Sequence, residues 1–280
     1  MEKNIRQSVF RSRFFSALKY IVLAIAALVS LAPLFWVFLS AFKTNSEIIV
    51  NSFSLPRQWL LDNYMRAFSS STMLRAWYNS IVNVVLVLGI TLLFGSMAAY
   101  VSSRLTKGAL QTFFAFGIMI PMQSILVPTF LILKDLNLIY SRPGMILAYS
   151  AASMPITVFV LHGFMKGIPR EMEEAAIIDG CSRSRCFFSI IFPMSKPGLA
   201  TVLTLNLLTV WNDYLVSLVI GGKKELYNLT VTINSFRTEF TADYGMICAF
   251  LMFGIIPLII LFVLLQENVI KGMAAGAVKG

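Results

Sequence analysis

The chain has 280 residues, 58% of them hydrophobic and 13% charged, with 23 Lys and Arg against 13 Asp and Glu for a formal net charge of +10. A mean hydropathy of +0.78 lies far outside the range of soluble domains and implies an integral membrane protein. The positive charge does not imply nucleic acid as a partner, because the basic residues stand between apolar stretches, where anionic lipid and the topology rule account for them.

Residues 1–19 form a basic N-terminus, with Lys3, Arg6, Arg11, Arg13 and Lys19 against Glu2. Residues 20–42 carry no charge and match one membrane span. This apolar run is too long for a signal peptide, and no small-residue cleavage site follows it. Pro33 is expected to kink this span, and Trp36 to sit toward its outer interface. Residues 43–75 read as a polar loop, with turns at Leu55-Pro56 and a short surface helix at Asp62-Asn63-Tyr64. The second span, 76–103, contains Asn83 and a small-residue face of Gly95, Ser96, Ala98 and Ala99 suited to close helix packing. A tight turn with Arg104, Lys107 and Gly108 follows.

The third span, about 109–133, is expected to be broken by Pro121 and Pro128, with Gln123 and Ser124 between them. Prolines at such positions suggest a bent helix beside a cavity, where neighbours or water satisfy the freed carbonyls. Span four covers 143–165 with Pro155 inside. Span five, 197–220, carries Asn206, Asn212 and Asp213, and span six covers 244–266. Between the last two, 221–243 is a polar loop, and 267–280 is a Gly- and Ala-rich tail. Basic residues favour the side holding the N-terminus, so both termini are assigned to the cytoplasm. Cys181, Cys186 and Cys248 are too few and scattered for a disulfide framework. The single histidine, His162, makes no metal site by itself.

Between spans four and five, the loop 166–196 holds a charged and polar segment, PREMEEAAIIDGCSRSRCFFSIIFP. Gly167 and Pro169 end one helix and start the next. Glu171, Glu173 and Glu174 fall in its first turns, where negative charge suits the positive end of the helix dipole. Met172, Ala175, Ala176 and Asp179 recur at helical spacing, and the paired alanines leave a thin face for another backbone. Gly180 is a left-handed helix stop. A second short helix runs from Ser182 through 187–192 and ends at Pro193. The prediction is a helix–turn–helix on the cytoplasmic surface.

Glu174-Ala175-Ala176, three residues, Gly180, nine residues, then Ile190 and Pro193 resembles the EAA loop of ATP-binding-cassette importer permeases, with Phe192 in place of the usual Leu. The likeness extends over nearly the whole chain. Pro33-Leu34-Phe35-Trp36, Asn63-Tyr64, Asn79-Ser80, Ala98-Ala99-Tyr100, Trp211-Asn212-Asp213 and the tail from Gln266-Glu267-Asn268 look like the shorter second permeases of the maltose and multiple-sugar type. The resemblance implies an all-α membrane protein with the type I importer permease fold, six transmembrane helices and a cytoplasmic coupling helix. It would lie in a bacterial plasma (inner) membrane. Its implied partners are a second permease in a heterodimer, two cytoplasmic ATPase subunits, an extracytoplasmic sugar-binding protein and a sugar cargo.

ATP and Mg would be held by the ATPase. This chain has no G-x-x-x-x-G-K-[ST] and is expected to bind no cofactor and catalyse no reaction. The resemblance assigns ATPase coupling to Glu173, Glu174, Ala175, Ala176, Asp179, Gly180, Ile190 and Pro193. Asn83, Gln123, Asn206, Asn212 and Asp213 are candidates for the sugar path, since amides donate to and accept from hydroxyls and an intramembrane carboxylate is usually functional or paired. Helix–helix hydrogen bonding is the competing role for the amides, and solvation near the outer interface for Asp213. The tail is a candidate ATPase contact, and the loop 221–243 a candidate contact for the binding protein. The rival functions are a self-contained secondary transporter, which calls for inverted repeats and paired buried charges, and a membrane enzyme, which calls for a clustered set of catalytic residues.

Overall fold

A computed structural model of the chain describes residues 2–106, 108–236 and 242–277. The described residues form an all-helical protein. Helices α1 (Glu2–Ser40), α4 (Ser71–Arg104), α7 (Arg142–Lys166) and α13 (Tyr244–Ala277) each contain a stretch long and apolar enough to cross a membrane. Two bent pairs, α5 (Ala109–Met119) with α6 (Met122–Asp135) and the helix Arg183–Met194 with α11 (Lys196–Trp211), turn through 101° and 75°. Counting each pair as one span gives six. The short elements are α2 (Asn45–Val50), α3 (Asp62–Ser69), α8 (Glu171–Ile178), α9 (Arg183–Cys186), α10 (Phe192–Met194) and α12 (Leu229–Ser235).

The described residues divide into two compact units, one within Met1–Phe68 and Thr238–Phe253, the other within Ser69–Arg237 and Gly254–Gly280. In the first, what the sequence suggests is a solvated loop is built around a buried cation. Lys43 is 1% exposed, and its Nζ donates to the carbonyls of Asn51 and Ser52 at 3.3 and 3.0 Å, at the end of α2, where a positive charge suits the helix dipole. Trp36 Nε1 donates to the Ser52 carbonyl as well. Asn63, at the start of α3, is buried and donates to the carbonyls of Ala41 and Lys43. Thr44 and Glu47 form a capping box at the start of α2. The Thr44 backbone N–H, with further bonds from Arg57 N–H and the Thr44 hydroxyl, draws the Glu47 pKa below its ordinary value. Arg66 pairs with Asp62 and Asp243.

The second unit is organised on α4 and α7, which pack along each other with α5 and α11 against them. Of the small-residue face of α4, Ala98 is only half-buried. Gly95, Ser96 and Ala99 are buried, and a Cβ at Gly95 would lie 2.5 Å from Thr157 Cγ2. One apolar core gathers Val87, Met145, Tyr149, Trp211, Val216 and Leu229. A second, toward the other end of α4, gathers Ala99, Leu161, Met165, Phe187, Ile191 and Val202.

Four sequence expectations need correction. Pro121 separates α5 from α6, because Ile120 before it takes an extended backbone (ψ 112°), but Pro128 stays inside α6. Span five does not run straight to residue 220. It stops at Trp211, and a five-residue π turn at Ser217–Gly221 follows the break. Pro193 does not end its helix, which reaches Met194 before the bend at Ser195. The stretch after 221 is also more than a loop. It holds α12 and is fastened by Asn79 Nδ2, which donates to the carbonyls of Glu225 and Tyr227 at 2.8 and 2.9 Å. Arg142 Nη2 donates to Asn79 Oδ1 at 2.6 Å.

Gly144 is required where α7 begins. An added Cβ would lie 2.1 Å from the Leu138 carbonyl oxygen, in the turn whose Ser141 side chain caps α7. Gly144→Ala is expected to cost about 1–3 kcal/mol through forced displacement of that turn, read as a lower thermal midpoint in detergent. Gly89→Ala, with nothing within 4 Å, is the control and is expected to be neutral or slightly stabilising, as Ala replaces Gly in a helix interior.

Candidate functional site

Two constellations stand out, a folded loop at one end of the second unit and a polar cavity inside it. In the loop, Pro169 lies just ahead of the first helical residue of α8, and the Arg170 carbonyl accepts the N–H groups of Glu173 and Glu174. Helix α8 closes with a Schellman motif. Gly180 has φ +81°, its N–H donates to the Ile177 carbonyl, and the Cys181 N–H donates to the Ala176 carbonyl. Ser182 then caps α9 by accepting from the Arg185 N–H. A π turn at Phe187–Ile191 leads into α10.

The eight coupling candidates divide between two faces. Glu174, Ala175, Asp179 and Gly180 are exposed, as are Met172 and Ile178, the latter 85% exposed. Glu173 and Ala176 are buried, and Ile190 and Pro193 are half-buried. Glu173 points at the C-terminal end of α4. One carboxylate oxygen accepts from Tyr100 Oη at 3.0 Å, and the other accepts from Arg104 Nε. Arg104 Nη2 donates to the Ile168 carbonyl at 3.0 Å. The side chains of this ion pair are only 6% and 11% exposed. Sequence reasoning counts Arg104 as a topology charge and assigns Tyr100 no contact. The available signal was a basic residue at the end of a span facing an acid-rich helix.

The cavity, of about 690 Å³, opens beside the two helix breaks, at residues 120–122 and 212–214. Gln123, Asn206, Asn212 and Asp213 all line it, together with Tyr149. Asn83 does not. It is 2% exposed, and its Oδ1 has no partner among the described residues. Asn206 combines both candidate roles, lining the cavity while its Nδ2 donates to Thr157 Oγ1 at 2.7 Å and Thr91 Oγ1 at 3.4 Å, joining α11 to α7 and α4. Gln123 and Asn212 are exposed. Asp213 caps the segment after the break, its carboxylate accepting from the N–H groups of Val216 and Ser217 and from Tyr149 Oη at 2.8 Å. Its backbone carbonyl accepts from Asn228 Nδ2 at 2.6 Å and from the Thr230 hydroxyl. Among the described residues, no Lys, Arg or His lines the cavity. Its polar groups are amides, hydroxyls and one carboxylate, a set suited to hydrogen-bonding an uncharged polar solute. No group of three or more His, Cys, Asp or Glu side chains suited to a metal occurs among the described residues.

Comparison with known proteins places the chain in a family. Over 275 residues it is 34% identical to the sulfoquinovosyl glycerol transport system permease protein SmoH of Agrobacterium fabrum, covering 96% of each chain. It is 30% identical to the diacetylchitobiose uptake system permease protein NgcG of Streptomyces coelicolor, covering 98% of this chain and 92% of that one. Its fold is similar to a subunit in the crystal structure of a bacterial ABC transporter involved in the import of the acidic polysaccharide alginate. The TM-score is 0.79 at 22% identity, over 91% of this chain and 96% of that one. Residues 91–275 match the family model described as binding-protein-dependent transport system inner membrane component, and the chain belongs to that family.

Proposed function

We propose that the chain is one of two different permease subunits of an ATP-driven importer of a carbohydrate, and that its cavity chemistry suits an uncharged oligosaccharide. The observation that carries this reading is the join of two features in one helical unit, an uncharged-to-acidic polar cavity and an exposed helix with the EAA spacing. The names of the relatives support a carbohydrate cargo, since they concern diacetylchitobiose, sulfoquinovosyl glycerol and starch degradation products. The chain itself hydrolyses nothing. ATP and Mg belong to two cytoplasmic ATPase subunits, one of which docks on Glu174, Ala175, Asp179 and Gly180 of this chain, and an extracytoplasmic binding protein delivers the sugar.

In this reading both termini are cytoplasmic, residues 20–266 form the permease domain, and the tail 267–280 follows it. ATP binding draws the ATPase subunits together, the docked helices follow, and the cavity changes the side to which it opens. Its amides and hydroxyls exchange hydrogen bonds with sugar hydroxyls as the cargo leaves water.

The test is a gentle-detergent pull-down of the tagged chain from its native cells. An ATPase, a second permease and a secreted binding protein are expected to co-purify, and the binding protein identifies the sugar. A wild-type chain that purifies without an ATPase and still transports solute after reconstitution would instead be a self-contained transporter.

A further inference from the structure

We infer that Arg104 and Tyr100 are positioning residues that lock the coupling helix α8 to the C-terminal end of α4 through Glu173, so that a push on α8 moves α4 directly. This rests on the proposed coupling role of the loop. The chain enters α8 from α7 through only four residues, 167–170, and such a linker by itself would absorb displacement. The lock bypasses it. Tyr100 and Arg104 stand four residues apart on α4, on one face, and together they occupy both carboxylate oxygens of Glu173. Arg104 also holds the linker itself, through the Ile168 carbonyl.

The second limb of the loop is seated on the same place. The Tyr100 ring lies 5.3 Å from that of Phe187, and Phe187 in turn packs on Phe192 at 5.9 Å. Both limbs of the loop therefore bear on the last turn of α4. Helix α4 is also the one that Asn206 joins to α7 and α11 beside the cavity, so displacement at α8 has a rigid route to the cavity wall. Burial matters here. A pair exposed to water would be screened and weak, whereas a carboxylate deprived of its buried partner is left uncompensated. The lock thus has one arrangement and no loosened variant of similar energy.

The experiment uses the assembled transporter with its ATPase, second permease and binding protein in proteoliposomes, and reads sugar taken up per ATP hydrolysed. Glu173→Gln is expected to lower that ratio at least tenfold, and Tyr100→Phe about threefold. The charge swap Arg104→Glu with Glu173→Arg restores the opposite charges but forfeits the bond to the Ile168 carbonyl, so it is expected to recover only part of the ratio lost in Glu173→Gln. Should Glu173→Gln fail to fold, Tyr100→Phe, which removes one hydroxyl, decides. An unchanged ratio in the variants would overturn the lock, as would uptake and hydrolysis falling in proportion, since that pattern marks lost docking or lost protein. A wild-type preparation without an ATPase would overturn the importer reading instead, so the two failures are distinguishable.

Discussion

A chain carrying Ala175→Trp is expected to reach the membrane at the wild-type level, to lose its ATPase in a detergent pull-down, and to lose uptake by about a hundredfold or more. Ala175 is exposed on α8, so an indole there meets no neighbour within the chain and leaves folding intact. At a docked surface the same indole must displace the partner's backbone. Misfit of that kind costs about 1–3 kcal/mol or more, and about 2.7 kcal/mol is a hundredfold in affinity. Ala176→Trp is expected to behave in the opposite way. Ala176 is 9% exposed and belongs to the core that holds Met165, Cys186 and Phe187, so the bulk is forced inward. That variant is expected to lower the thermal midpoint and the amount of chain recovered from membranes, whether or not the ATPase is present. Immunoblots of membranes, thermal scans and pull-downs separate the two. If Ala175→Trp keeps its ATPase and its uptake, the exposed face of α8 is not the docking face.

The contrast between neighbouring residues marks where the sequence stops being informative. The motif spacing identifies the loop, and Gly180 is legible as the helix stop because only a left-handed residue closes α8 there. Glu173 and Glu174 are the same residue type, however, and sit about 100° apart around a helix. Acidic residues surround its first turn, so no hydrophobic pattern reports which one turns inward. That depends on Arg104 and Tyr100, some seventy residues earlier, whose approach is a tertiary fact. Spans one, two, four and six are legible as charge-free runs of the right length.

The break at Asn212 is not legible, since apolar residues continue to Ile220 and hydropathy does not register a carboxylate capping the next turn. Pro121 and Pro128 read alike, yet only Pro121 follows a residue that leaves the helical region. Four of the five path candidates do share one cavity, because polar side chains in apolar helices gather where a gap or a partner receives them. Asn83 belongs to the same class by sequence and is buried away from that cavity.

Asp213→Ala is expected to destabilise the assembled transporter by about 2–4 kcal/mol, from a buried Tyr149 hydroxyl left unpaired, about 1–3 kcal/mol, and a lost cap on the segment at 215–221, about 1 kcal/mol. Tyr149 is 4% exposed, and an alanine methyl at 213 offers its hydroxyl no acceptor within the chain. Asp213→Asn keeps one carbonyl acceptor and is expected to cost roughly half as much. In Tyr149→Phe the carboxylate keeps its bonds to Val216 and Ser217, and the double variant Tyr149→Phe with Asp213→Ala is expected to cost less than the sum of its parts, because the two side chains share one hydrogen bond. The backbone carbonyl of residue 213 still holds Asn228 and Thr230 in every variant, so the stretch to α12 is expected to stay attached. Thermal midpoints in detergent measure the cost, and sugar uptake into vesicles measures its consequence. Uptake that falls in step with stability makes Asp213 the staple of the helix break. Full stability in Asp213→Asn with uptake down more than tenfold makes its carboxylate a direct contact for the cargo, since a scaffold acceptor would have been replaced by the amide oxygen.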